Sequence, residues 1–452
     1  MGRRKVGFYM ARQPHTSRQQ RGGNTALGGQ VVITGMGVVS PIGIGADAYW
    51  ESLCRQRSGV GILPDRANMD LPLCMGGAIE GFDPRQHIKP RKALKVMSRE
   101  IQTGCSAAEL AVQQARLGRH RVDAQRFGVV FGGDMLYCEP DELQDVYRRC
   151  VADGQFCFGR WGQVAMAQLY PLWMLMYLPN MIACHIGIAH SARGSSNTIC
   201  QGETSSLQAM IEAATIISRG QADIMITGGS SSRLSVTPML YRGMAHLSSR
   251  IESPEEACRP FDAARDGTVH GEGAAAFVLE SEEHARARGA KVLARLRSWG
   301  QFFDHDKRGE APPGRAIRRA IEMALLQGAL NADAVGHFNA NAAGLVSDDA
   351  IEANAIREVL GDVPVTAPAS FFGVLGAGRG AVELVASVLA LEHGLVPVTL
   401  NYTRPDPRCP VNVVHGQPLA AEHPTAVVLN RSQAGQAVAV VLEAGHEQPG
   451  RG

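Results

Sequence analysis

An α/β fold built from two halves is what this sequence predicts, and three observations carry the prediction. Strand-like and helix-like segments alternate along almost the whole chain, the order expected of an α/β fold with mostly parallel sheets. The 452 residues exceed what one small core accommodates, so two domains, or two halves sharing a core, are expected. Hydrophobic residues make up 45% and charged residues 19%, the balance of an ordinary soluble globular chain.

Residues 1–29 are arginine-rich, contain no acidic residue and hold no apolar stretch of useful length. They lack the apolar centre of a secretory signal. They read as a disordered extension, with a start codon set too early or a transit peptide as the alternatives. The folded part is expected to divide into residues 30–290 and residues 291–445, with 446–452 as a flexible tail. "QVVITGMGVVSPIG" joins a β-branched run to Gly and Pro, which predicts a buried strand and a turn. "KALKVMSREIQTGCSAAELAVQQARL" spaces its apolar residues as a helix does. "RFGVVFGGD" is a second buried strand, "SSLQAMIEAATIISRG" a helix, and "ADIMITGGSS" a strand ending in a glycine pair. "GAAAFVLESEEHARARGAKVLARLRSWG" reads as strand, short helix, strand. In the second half "GRAIRRAIEMALLQGAL" is a helix and "VGHFNANA" a short strand. "DDAIEANAIREVLG" is a helix with an acidic first turn, which suits the positive end of its dipole. "GAVELVASVLALEHG" is a further helix, and "AVVLNRSQAGQAVAVVLE" reads as two strands and a turn.

Composition removes several function classes. A formal net charge of +2 gives no electrostatic reason to expect a nucleic-acid partner. None of the ten cysteines forms a CxxC pair, so a zinc site is not expected, and no cofactor motif is present. Unpaired cysteines scattered among apolar residues fit a reducing cytoplasm. The longest apolar run, "YPLWMLMYLPNMIACHIGIAH" at residues 170–190, is broken by Pro171, Pro179, Asn180 and His185. It offers only pieces of the roughly 20 apolar residues that a membrane span needs, and reads as core or subunit interface.

"NTICQGETSSLQAM", residues 197–210, places a cysteine and a glutamate just before a predicted helix. Cys200 reads as a small buried thiol before a turn, or as a nucleophile. Glu203 reads as a first-turn carboxylate favoured by exposed N–H groups. Alternatively it is a polar group set into a pocket, where burial raises its pKa against the helix terminus.

The chain resembles the β-ketoacyl-acyl-carrier-protein synthases, from about residue 30 to about residue 443. The residues carrying this are "VVITGMGVVSPIG", "RKALKVMSR", "LPNMIACHIGIAHSARGSSNTI", "RGQADIMITGG", "GLVPVTLN" and "PDPRCPVN". Most specific is "CRPFDAARDGTVHGEGAAAFVLE", in which Arg259, Pro260, Phe261, Asp262, Arg265, Asp266, Gly267, Gly271, Glu272 and Gly273 fall in register. The resemblance implies a thiolase-like fold, two similar α/β halves in a five-layer αβαβα arrangement, usually dimeric. It also implies a site of one cysteine and two histidines. The cysteine takes an acyl chain from a carrier protein, and the histidines support decarboxylation of a malonyl unit and steady the charge on its thioester oxygen.

Here that implied site departs from the family. Counting back in register from Asp223 puts the nucleophile position at Glu203. The first histidine position falls on Asn341 in "NANAAG", the second on Val374, and the lysine position on Ala369. The glycine-rich "GFGG" loop is "NRSQAG". Cys200 as nucleophile would need a three-residue insertion in the helix, which turns the following face by most of a turn. His270 and His337 remain close in sequence and read as structural. The expectation is a homologue without condensing activity of its own, a chain-length-factor-like partner. It would form a homodimer, or a heterodimer with an active ketosynthase, with acyl carrier protein as a further candidate partner. The alternative is an acyltransferase-family enzyme of altered chemistry, such as decarboxylation, using Glu203 or Cys200.

Overall fold

A computed structural model of the chain describes residues 30–64, 74–119, 122–238, 246–304 and 313–445. The expected N-terminal extension 1–29 and the tail 446–452 lie outside the described residues. Ten strands and six helices form the frame. The first half holds β1 (Val31–Ser40), α1 (Arg99–Gln114), β2 (Phe127–Gly132), α2 (Met181–Ala189), β3 (Ser196–Ile199), α3 (Ser205–Ser218), β4 (Ile224–Ser232) and β5 (Glu272–Ser281). The second half holds β6 (Ala294–Phe303), α4 (Arg315–Gln327), β7 (His337–Asn339), α5 (Val346–Leu360), β8 (Pro364–Thr366), α6 (Arg379–His393), β9 (Thr425–Arg431) and β10 (Gln436–Ala444).

The two halves repeat one topology. Strand order is β3-β2-β4-β5-β1 in the first and β8-β7-β9-β10-β6 in the second, joined where Val31–Ile33 pair with Ala294–Leu296. Within each half two pairings are parallel, β2 with β3 and β4, and β7 with β8 and β9. The remaining pairings, β4–β5, β5–β1, β9–β10 and β10–β6, are antiparallel. The sheets are therefore mixed, and not mostly parallel as the alternation of elements suggested. Helical crossovers enforce parallel neighbours, whereas the tight turn between Arg431 and Gln436 leaves its strands antiparallel.

Five layers follow from which faces are apolar. Ala274, Ala276 and Val278 of β5 pack towards α1 and α2, while Ala275, Phe277 and Leu279 pack towards the central helices α3 and α6. On the far side, α4 and α5 cover Val427, Leu429 and Val441 of the second sheet. Strands buried on both faces read as continuous apolar runs, which is why they were legible. The run 170–190 is core in part: Ile182, Ala183 and Ile186 are buried in the cluster under β5, while much of the rest is open in the single chain. It splits into a 3₁₀ turn at Trp173–Tyr177 and helix α2. Tyr170, Leu172, Met174, Leu178 and Ile188 are exposed. Among the described residues no helix is long and apolar enough to cross a membrane.

Candidate functional site

The cavity at the start of α3 is built from backbone upward. Strand β3 ends at Ile199, and a 3₁₀ turn at Gly202–Thr204 leads into α3. Gln201 N–H donates to Ser205 Oγ (2.8 Å), and that hydroxyl donates to the Gly202 carbonyl (2.7 Å). Thr204 and Ser205 are fully buried, so the turn is fixed on its inner side. Glu203, between these groups, lines a cavity of about 690 Å³ together with Arg233, His246, His270, Leu345 and Ser432. A smaller recess of about 90 Å³ continues inward and adds Asn341, Val374, Arg379 and Arg431.

Glu203 is ion-paired. Its carboxylate accepts from the guanidinium of Arg233, whose side chain is 7% exposed. Arg233 follows β4, its N–H donating to the Gly271 carbonyl (3.0 Å), and its guanidinium also stands 4.0 Å from the Asp134 carboxylate. One cation thus lies between two carboxylates, the arrangement that makes a poorly solvated charge tolerable.

The inner residues are held by a second buried network. Asn341 follows β7; its N–H donates to Glu352 (2.6 Å), and its side-chain oxygen accepts from the Arg431 N–H (3.2 Å). The Arg379 guanidinium donates to the Asn341 carbonyl and to the Glu383 carboxylate. Burial pushes the Glu352 pKa up to about 7, against the pull of Arg431. Val374 joins the strand-like contact beside His270, its N–H donating to Val269 (2.8 Å) and its carbonyl accepting from Gly271 (3.0 Å).

Glu203, Asn341 and Val374 therefore meet around one recess. Ala369 does not line it; it is fully buried, and its carbonyl accepts from the Cys258 thiol (3.2 Å). Cys200 also stands outside the cavity lining. The expectation of a buried thiol is corrected, for Cys200 is exposed. It lies just past β3, the outermost strand of the first sheet. Partial desolvation, and then the charge of Asp134, raise its pKa. His270 lines the cavity. His337 is buried and does not line it; its Nε2 stands 3.1 Å from the Ser387 hydroxyl, and burial lowers its pKa to about 4, so it is neutral.

Sequence reasoning passed over Arg233, Arg379, Arg431 and Asp134. Arg379 did carry a signal: in "GAGRGAVELVASVLALEHG" a single arginine opens a mostly apolar helix. A cation buried there needs a carboxylate, and Glu383 stands four residues on.

Comparison with known proteins fits this frame. The family model for the N-terminal domain of beta-ketoacyl synthases matches residues 29–285, and that for the C-terminal domain matches residues 293–403. The chain belongs to the β-ketoacyl synthase family of condensing enzymes, whose members act in fatty acid and polyketide biosynthesis. It is 31% identical over 396 residues to 3-oxoacyl-[acyl-carrier-protein] synthase 2 of Synechocystis sp., covering 86% of this chain and 91% of the relative. Two solved structures each cover 92% of this chain and 99% of their own. One, of a type II polyketide acyl-carrier protein in complex with its ketosynthase, has 28% identity and a TM-score of 0.77. The other, the ishigamide ketosynthase/chain length factor, has 25% identity and a TM-score of 0.79.

Proposed function

We propose that this chain is a non-catalytic member of its family, which pairs with an active ketosynthase in the manner of a chain length factor. The observation that carries the reading is the Glu203–Arg233 ion pair. At the position where the family resemblance expects a nucleophilic cysteine stands a carboxylate already committed to a cation. The two histidine positions offer the amide of Asn341 and the side chain of Val374, which has no hydrogen-bonding group. The lysine position, Ala369, is buried and does not line the recess. Neither a thiolate nor an imidazole is supplied at these four positions. Residues 30–290 and 291–445 are the halves of such a subunit, with acyl carrier protein as a second partner.

The altered-chemistry reading has less support. A carboxylate paired to arginine is a poor general base, because the cation favours its ionised form and lowers its proton affinity. Cys200 lies outside the cavity lining with a raised pKa, so little thiolate is present near neutrality. The test is condensation: given malonyl- and acyl-carrier protein, the purified chain forms no β-ketoacyl product above background. Turnover abolished by Glu203→Ala or Cys200→Ala would overturn the reading.

A further inference from the structure

We propose that the outer edge of β6 is a docking site for an extended, uncharged peptide segment of a partner protein, which adds to the second sheet as a further strand. β1 pairs with β6 only over Ala294–Leu296, and among the described residues no strand covers the edge beyond that point. On its other side β6 runs antiparallel to β10, with Phe302 opposite Ala437 and Gly300 opposite Ala439. Just past its end the Asp304 N–H donates to the Gly435 carbonyl (2.9 Å). Hydrogen-bonded and non-hydrogen-bonded residues alternate along an antiparallel pair. The bond at Asp304 therefore assigns Phe302 and Gly300 to the bonded set, and Trp299 and Gln301 turn their N–H and carbonyl groups towards the open side. Gln301 is exposed. An open row of such groups is a template for an added strand.

The surroundings select the occupant. A groove of about 530 Å³ lies along this edge. Side chains alternate between the two faces of a strand. The Gly300 face lies against α4, since a Cβ there would stand 2.0 Å from the Ala320 carbonyl, and on that face Phe302 borders the groove with Met323 and Gln327. On the other face Trp299 and Gln301 border it with Gln201 and Gln208. A strand laid here finds a lining for both of its faces. Among the described residues no charged side chain lines the groove. Its polar side chains are glutamine carboxamides, which donate and accept as peptide groups do, and the Trp299 indole. A charged side chain entering it would give up water without meeting a counter-charge. Extended backbone with uncharged side chains is therefore what the site takes, ahead of an acidic or basic segment.

The experiment is amide hydrogen exchange of the full chain, read by mass spectrometry with fragmentation that resolves Trp299 and Gln301, with and without a millimolar capped peptide of alternating Thr and Val. The peptide is expected to slow exchange at both amides about tenfold. A peptide of alternating Thr and Lys is expected to leave them unchanged. Gln301→Glu sets a charge in the groove at an exposed position, and is expected to abolish the protection while the thermal unfolding of the chain is unchanged. Gln301→Pro deletes an edge N–H without removing a bond of the sheet. It serves if the glutamate variant does not fold, and is expected to abolish the protection of Trp299 likewise. Unchanged exchange at both amides with the Thr/Val peptide, equal protection by the Thr/Lys peptide, or protection retained in a folded Gln301→Glu would each overturn the proposal. So would amides already protected in the chain alone, because another segment of the chain or a second copy would then occupy the edge. None of these outcomes bears on condensation, so this inference and the proposed function can fail separately.

Discussion

The Arg379 guanidinium and the Glu383 carboxylate stand one helical turn apart on α6, Nε to Oε1 2.7 Å, with side chains 3% and 0% exposed. This pair opens the central helix against the recess and carries the Asn341 carbonyl with it. Removing one partner leaves the other charge buried. Arg379→Met is expected to cost about 3–5 kcal/mol, read from urea unfolding. Arg379→Met/Glu383→Leu should recover a large part of that loss. Simple additivity of the two single losses would show that the pair is not coupled.

Glu352 predicts a pH dependence. Its pKa is raised to about 7 in the folded chain by burial, against an unfolded value of about 4.3. Below the unfolded value both states are protonated. Between the two values the unfolded chain loses its proton first, so stability falls as pH rises through this window and levels above it. Glu352→Gln removes this dependence. The variant should gain on wild type between pH 5 and pH 7.5 by on the order of 2–3 kcal/mol. His337, whose pKa is lowered to about 4 by burial, works in the opposite direction in both proteins and cancels from the comparison. A constant offset between the two proteins across that range would contradict the assignment.

The apolar face around residues 140–190 predicts an obligate dimer. Tyr147, Phe156, Phe158, Met166, Leu172 and Met174 are exposed on the single chain. Trp173 Nε1–H (3.0 Å) and the Tyr177 hydroxyl both donate to the Glu142 carboxylate, which fixes part of that face. Beside it, among the described residues, β3 ends the first sheet with an unpaired outer edge, and such an edge invites pairing. The dimer should bury more than about 2,000 Å², as permanent interfaces do. Light scattering at micromolar concentration is expected to give a dimer for the wild type. Leu172→Asp and Met174→Asp should dissociate or precipitate it. A stable, soluble wild-type monomer would end the partner-subunit account.

Cys200 predicts slow alkylation. Its thiol is exposed but its pKa is raised by partial burial and by Asp134, so the thiolate fraction near neutrality is small. Iodoacetamide should modify it more slowly than an unstructured peptide cysteine at pH 7. The rate should rise when Asp134 is replaced by Asn. Rapid stoichiometric modification at neutral pH, mapped by mass spectrometry, would reverse the assignment.

How far the sequence went is visible in particular residues. Strands such as Val31–Ser40 and helices such as Ser205–Ser218 were legible because their apolar periodicity is local. Pairing direction was not, because it depends on whether a strand returns by a turn or by a helix. Gly37 and Gly300 show the hidden repeat. Each is the seventh residue of its half's first strand, and a Cβ there would stand 2.1 Å from the Ala107 carbonyl of α1 and 2.0 Å from the Ala320 carbonyl of α4. Nothing in the neighbouring residues marks the two glycines as equivalent; only the paired topology does. Of the site, Glu203, Asn341 and Val374 were found by register. Arg233 and Asp134 were missed because an ion pair joins residues far apart in the chain, and neither sits in a pattern that announces a partner.

The central claim is that no group in this cavity takes an acyl chain. Intact-protein mass spectrometry after incubation with acyl-carrier protein tests it most directly, since a condensing enzyme must carry its acyl group covalently before a malonyl unit arrives. The account predicts an unchanged mass for the wild-type chain, and the same for Cys200→Ala. An acyl adduct formed in stoichiometric amount, mapped to Cys200 or to any residue lining the cavity, would contradict it.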